Sequence, residues 1–365
     1  MTKDLNSLPM YLGFNDLSIL PGNNQGNVDD IPLTSRFTRN INLNVPLVSA
    51  AMPCVTEVAM AKAMIEFGGV GIIHRYMDIN KQCEMVKAIR EHKINKQFYP
   101  DASYGPDGNP LTAASVDPQD IRRAEMLADA GVHVLVFDTP NPGNKENLEG
   151  AKKIRDSVDV DLVTGQIVNP ETAIQYLDLG VDALRIGLGA GALCSIRLIT
   201  AMGAPQATAI YNCYQIAKSF NIPIISDGGI QTSGDIVKAF ALGAESIITG
   251  SLLMGCDETP GEIVNKNDKR WKRVAGLNLD FIEIPVPTGY PKIDEYLENH
   301  EIDRIEGGEG LVLMRGPVHL VLLRLVRGIR AGIYMAGVKS VNRMKTDANL
   351  IRVSPAGLLE NRIRI

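Results

Sequence analysis

Pro223-Ile-Ile-Ser-Asp-Gly-Gly-Ile-Gln-Thr-Ser-Gly-Asp-Ile-Val-Lys-Ala-Phe-Ala-Leu-Gly-Ala-Glu-Ser-Ile-Ile-Thr-Gly-Ser251 reads as one complete strand–helix–strand unit. A short β-branched run, Pro223–Ser226, is a strand pattern, and Asp227-Gly-Gly229 is a turn in which glycine frees the backbone. The apolar spacing of Ser233–Leu242 predicts a helix, and Gly243 follows it as a C-cap. Ser246–Gly250 is the next strand, closing on Gly250-Ser251.

The same grammar repeats upstream. Strand patterns fall at Pro46–Ala51, Val70–His74, Leu111–Ser115, Val132–Asp138, Asp161–Thr164 and Ala183–Ile186. Helical patterns lie between them, at Glu57–Phe67, Pro118–Ala130, Pro170–Leu179 and Ala207–Phe220, and several end in a glycine (Gly68, Gly131, Gly180). Repeated βα units imply parallel strands with right-handed crossovers. Eight of them favour a closed (β/α)8 TIM barrel, an α/β fold, over an open doubly wound sheet.

In such a barrel the active site sits at the C-terminal ends of the strands. The unusual loops all fall there: Met52-Pro-Cys54, His74-Arg75, Thr139-Pro-Asn-Pro-Gly143, Asp227-Gly-Gly229 and Gly250-Ser251. The last two occupy the standard phosphate position after strands seven and eight. Strand six runs into Gly187-Leu-Gly-Ala-Gly-Ala-Leu-Cys194, which puts one cysteine at the end of a glycine-rich loop. That setting suits a nucleophilic thiol beside a phosphorylated ligand. Cys54, Cys83, Cys213 and Cys256 read as small apolar packing residues. His74 and Arg75 either face the site or form a structural pair.

Bulk composition narrows the class. The chain has 365 residues, 45% hydrophobic, and a formal net charge of −5. This permits a large core and argues against a nucleic-acid partner, which calls for a basic surplus. No apolar run is long enough for a membrane span, and the N-terminus lacks a signal-peptide core, so no membrane partner is expected. Five scattered cysteines without metal-type pairing suggest a reducing cytoplasm.

Residues 1–365 are read as a single catalytic barrel. Two segments lie outside its repeat: a lead-in over 1–45 and a long excursion over 258–316, expected to be a flap after strand eight. The excursion carries Trp271, either a packing residue or a stacking surface for a base, and the acidic stretch Glu306-Gly-Gly-Glu-Gly310, either a solvated turn or a ligand contact. His319–Met335 reads as the last barrel helix.

These residues resemble the IMP dehydrogenase/GMP reductase family. The resemblance is carried by Gly13–Pro21, Pro46–Met52, Gly187–Arg197, Gly203-Ala-Pro-Gln206, Ser226–Ile230, Gly250–Leu253 and Arg352–Leu358. The family usually inserts two regulatory nucleotide-binding modules between strands two and three, and only about forty residues separate those strands here. The resemblance therefore implies a barrel-only form. It also implies a redox reaction at C2 of a purine nucleotide, with Cys194 attacking that carbon and NAD or NADP exchanging hydride. It assigns Asp227 to the ribose hydroxyls and Gly228, Gly229, Gly250 and Ser251 to the phosphate. Asp138, with Thr139, is assigned to the nicotinamide side and Glu306 to the purine edge. Trp271 stands where a phosphate-binding tyrosine is expected. The carbonyls of Gly189, Gly191 and Cys194 match a monovalent-cation site, with K+ as the candidate ion. A homotetramer is the family's assembly.

The chain departs from that pattern in its chemistry. Ala192 replaces a phosphate-holding serine, and Ile196 replaces a threonine used in the water or ammonia step. Gln166 replaces an asparagine, and Lys272-Arg-Val-Ala-Gly276 replaces an Arg-Gly-Met-Gly-Ser segment. Residues 277–305 lack the adjacent Arg–Tyr pair with which the dehydrogenases activate water. The favoured reading is IMP dehydrogenase-like oxidation of IMP to XMP. The alternatives are a GMP reductase-like or modified-purine-nucleotide enzyme, and a nucleotide-binding barrel without catalysis.

Overall fold

The computed structural model describes residues 7–23, 26–275 and 309–360. Eight parallel strands close into a barrel: β1 (Leu47–Ser49), β2 (Val70–Ile73), β3 (Ala113–Val116), β4 (Val134–Phe137), β5 (Asp161–Ile167), β6 (Ala183–Ile186), β7 (Ile224–Asp227) and β8 (Ala244–Thr249). Closure runs through β8 and β1, where Ile247 pairs with Leu47 and Thr249 with Ser49. All eight sequence-predicted strands are present, with ends shifted by a few residues. Every residue of β2, β3, β4 and β6 is buried, as expected for strands covered by helices outside and by side-chain layers inside.

The outer helices begin and stop for local reasons. The helix α5 (Pro170–Asp178) starts at Asn169, whose side chain accepts the Thr172 amide at 2.8 Å, with proline in the first turn. The helix α8 (Ser233–Ala241) starts on a Thr232–Asp235 capping box. The segment expected as a helix from Pro118 begins only at Ile121, because Asp120 caps it by accepting the Arg123 amide. The Ala207–Phe220 pattern is a helix over Gln206–Ala217, α7, followed by a 3-10 turn that ends with Asn221 left-handed at φ 54°. Gly68, Gly131, Gly180 and Gly243 all take positive φ after their helices. The helix expected over His319–Met335 runs over Val318–Met335, and two shorter helices, Val341–Asp347 and Pro355–Leu359, follow it.

The lead-in is not loose. Leu17–Ile19 pairs antiparallel with Leu350–Arg352, so the two ends of the described chain join outside the barrel. The described parts of the excursion form a three-stranded antiparallel sheet: β9 (Ile263–Lys266), β10 (Lys269–Ala275) and β11 (Glu309–Leu313). Lys272 on β10 pins this sheet to the barrel. Its buried ammonium donates to the carbonyls of Cys256 at 2.9 Å and Asp257 at 3.0 Å, and to Thr259. Glu306 lies outside the described residues.

Candidate active site

One cleft opens at the C-terminal ends of the strands, with a volume of about 1190 Å³ counting its mouth. Loops after β1, β2, β4, β6, β7 and β8 line it, together with Gln166 near the end of β5, so the site draws on most of the barrel rim. Cys194, Asp138, Asp227, Gly228, Gly229, Gly250, Ser251, Gly189 and Gly191 all line it. Residues as far apart in sequence as Ala50 and Met254 are thus brought to one cavity.

Two glycines permit this approach. A Cβ on Gly187 would lie 2.0 Å from the Asp227 carbonyl, so only glycine lets β6 end against β7. Gly228 has φ 82°, and a Cβ there would sit 3.1 Å from the Gly191 amide. The phosphate-type turn and the cysteine loop therefore touch backbone to backbone. Gln206 fastens the same corner, donating to the Ile186 carbonyl at 2.7 Å and the Asp227 carbonyl at 3.1 Å. Cys194 is half-buried at the cleft wall, its amide donating to the Gly191 carbonyl at 3.1 Å.

The charged centre of the cleft is Arg185, which the sequence reading passed over. Its Nε donates to Asp227 Oδ2 at 2.7 Å and its Nη1 to Asp138 Oδ1 at 3.1 Å. Burial alone would lower its pKa, but the Asp227 and Asp138 carboxylates outweigh burial and raise it. The available signal was a lone arginine inside an apolar strand. Tyr76 was missed too. Its hydroxyl donates to Asp138 Oδ2 at 3.2 Å, and its ring lies 5.0 Å under the Arg75 guanidinium.

Other sequence candidates lie apart. Thr139 is buried, and its hydroxyl accepts from Asn147 Nδ2 at 3.1 Å, within its own loop rather than on the cleft wall. Trp271 sits on β10 and donates its indole N–H to the Lys266 carbonyl at 3.1 Å, away from the cleft lining. His74 is buried beside the site, 3.6 Å from Glu57. Burial lowers its pKa, with Glu57 opposing. Cys54, Cys83, Cys213 and Cys256 are buried, and burial raises the Cys213 and Cys256 thiols to about 12, which suits packing. Among the described residues, no group of three or more His, Cys, Asp or Glu could hold a metal ion.

A closed eight-stranded barrel with glycine turns after strands seven and eight, and a cysteine lining the same cleft, defines a (β/α)8 TIM barrel with its candidate active site at the C-terminal ends of the strands. The family model for the IMP dehydrogenase / GMP reductase domain matches residues 11–364. The chain is 32% identical to the inosine-5'-monophosphate dehydrogenase of Borreliella burgdorferi, over 96% of each chain. It is 30% identical to that of Cryptosporidium parvum, over 96% of this chain and 94% of that one. A solved GMP reductase of Trypanosoma brucei, in complex with guanosine 5'-monophosphate, matches with a TM-score of 0.86 over 98% of both chains at 24% identity, a likeness of fold. The chain belongs to the IMP dehydrogenase / GMP reductase family, and so to the NAD(P)-linked purine-nucleotide oxidoreductases.

Proposed function

We propose that this chain oxidises IMP to XMP through a covalent bond between Cys194 and C2 of the base. The observation that carries this reading is one cleft lined by Cys194, the Gly228-Gly229 turn and the Asp138–Arg185–Asp227 cluster. Asp227 is proposed to hold the ribose hydroxyls, with Gly228, Gly229, Gly250 and Ser251 around the phosphate. Cys194 would then attack C2 as thiolate. NAD or NADP, when bound, supplies the hydride acceptor. Asp138 fits its ribose, because this carboxylate lines the cleft and still has lone pairs left by Arg185. Water would cleave the C2–S bond and return the thiol.

The carbonyls of Gly189, Gly191 and Cys194 are the proposed monovalent-cation ligands, with K+ as the ion. They belong to one tight turn and supply only part of a shell. Residues 258–316 are proposed as the flap of a single-barrel chain, with Glu306 reading the purine edge from it, Trp271 packing within its sheet, and Thr139 supporting the cofactor side. Homotetramer formation is supported by exposed apolar residues after Cys194, notably Leu198, 89% exposed, and Met202, 61% exposed. A cytoplasmic site of action is supported by cysteines that are few and scattered along the sequence, without the spacing of a disulfide framework. Among the described residues, no helix is long and apolar enough to cross a membrane.

A second reading is favoured by Ala192 and Ile196, which line the cleft where the family pattern has hydroxyls. In that reading the nucleotide is held but the substrate is GMP or a modified purine nucleotide. A nicotinamide absorbance assay with IMP and NAD+, and with GMP and NADPH, separates the two. Turnover with IMP that disappears in Cys194→Ala supports the first. Turnover with GMP alone replaces it with the second. Tight nucleotide binding with neither turnover means a binding barrel without this chemistry.

A further inference from the structure

We propose that Tyr76 is a catalytic proton-transfer residue, whose hydroxyl relays a proton from the attacking water to Asp138 during release of the nucleotide from Cys194. The proposal rests on the reading of Cys194 as the covalent nucleophile.

The described polar groups of the cleft differ in their freedom to move a proton. Arg185 stays charged, because two carboxylates raise its pKa. Asp227 is committed to Arg185 Nε at 2.7 Å. The Ser251 hydroxyl is turned to the Ile230 carbonyl. Asp138 is different: Arg185 holds Oδ1, while Oδ2 faces the Tyr76 hydroxyl at 3.2 Å and, more distantly, the Arg75 guanidinium, with Nε at 3.6 Å. Tyr76 lines the same cleft as Cys194. It is therefore a phenol with a proton in hand and a carboxylate behind it. Such hydrogen bonds are often long before substrate binds.

Burial and Asp138 raise the Tyr76 pKa, so the phenol stays protonated at rest and is not a standing base. It can accept a proton only while passing its own to Asp138 Oδ2. The Arg75 guanidinium over the ring and Arg185 both pull that pKa the other way, and so favour the phenolate that appears in passage. In the step itself, the water oxygen bonds to C2 and the C2–S bond breaks, with its electron pair leaving on sulfur. One water proton passes to Tyr76 Oη as the Tyr76 proton passes to Asp138, and it returns to the Cys194 sulfur through solvent. The other ends on the ring nitrogen beside C2. The sum is addition of one water across the adduct, with no oxidant required.

The test is Tyr76→Phe, which keeps the ring and removes the relay. IMP and NAD+ are mixed with the enzyme, nicotinamide absorbance is followed from the first turnover, and the quenched protein is weighed intact. The expected result is an undiminished first-turnover burst and a steady-state rate lowered about 100-fold. A nucleotide adduct on Cys194 should accumulate, and Tyr76→His should recover part of the rate. Loss of the burst in step with the rate would overturn the relay and make Tyr76 a cofactor-positioning residue. An unchanged rate would overturn it as well. If wild-type protein forms neither reduced nicotinamide nor a Cys194 adduct, the covalent reading fails, and the relay fails with it.

Discussion

Asp138 and Asp227 share one guanidinium: Arg185 on β6 reaches Asp138 beyond β4 at 3.1 Å and Asp227 on β7 at 2.7 Å. The two carboxylates proposed for the two ribose groups are thereby held in one fixed relation. Arg75 adds a second, longer contact to Asp138, with Nε 3.6 Å from Oδ2.

Arg185→Leu should therefore damage stability and binding together. The buried Asp138 and the partly buried Asp227 lose the guanidinium they share, and breaking one fully buried pair costs about 3–5 kcal/mol. The expected outcome is a clear fall in Tm and at least about tenfold weaker IMP binding. Thermal unfolding and titration calorimetry would show it. A fall in Tm with unchanged IMP affinity would mean that the clamp is structural only.

Gly228→Ala tests the contact between the two loops. The residue is left-handed, which costs an ordinary side chain about 1–2 kcal/mol. Its new Cβ would also press on the Gly191 amide from 3.1 Å. Nucleotide affinity should drop about tenfold or more, while the barrel stays folded by circular dichroism.

Ala192→Ser should strengthen nucleotide binding. Ala192 lines the cleft in the glycine loop, and a hydroxyl there would add one hydrogen bond to an anion, roughly 1.5–3 kcal/mol at most. An affinity gain for IMP of about tenfold, without a matching gain for inosine, is the expected signature. Equal gains for both ligands would place the phosphate elsewhere.

His74 makes stability depend on pH. Burial depresses its folded-state pKa below the ordinary value near 6.5, so the unfolded chain binds the proton first. Its stabilising contribution is present above that value and is lost as pH falls through it toward the folded pKa. Wild-type Tm should decline as pH drops from about 7 to 5, and His74→Gln should flatten that decline. Parallel curves for the two proteins would refute the assignment.

The eight strands were legible because a parallel barrel leaves local marks: short β-branched runs, amphipathic helices and a glycine after several of those helices. Cys194, Asp227, Gly228 and Gly229 were legible for a related reason, since glycine-rich turns at strand ends stand out from their neighbours. Arg185 and Tyr76 were not. Arg185 is one charged residue between apolar ones, Tyr76 follows His74 and Arg75 in a polar loop, and the meaning of each depends on partners far away in sequence.

The amino-acid sequence by itself thus determined the barrel, the position of its phosphate-type turns and the cysteine loop, because those follow from backbone periodicity and the conformational freedom of glycine. Tertiary structure alone decided which charges meet. Arg185 pairs with residues 47 and 42 positions away. No local propensity encodes that distance; closing eight strands around one axis does.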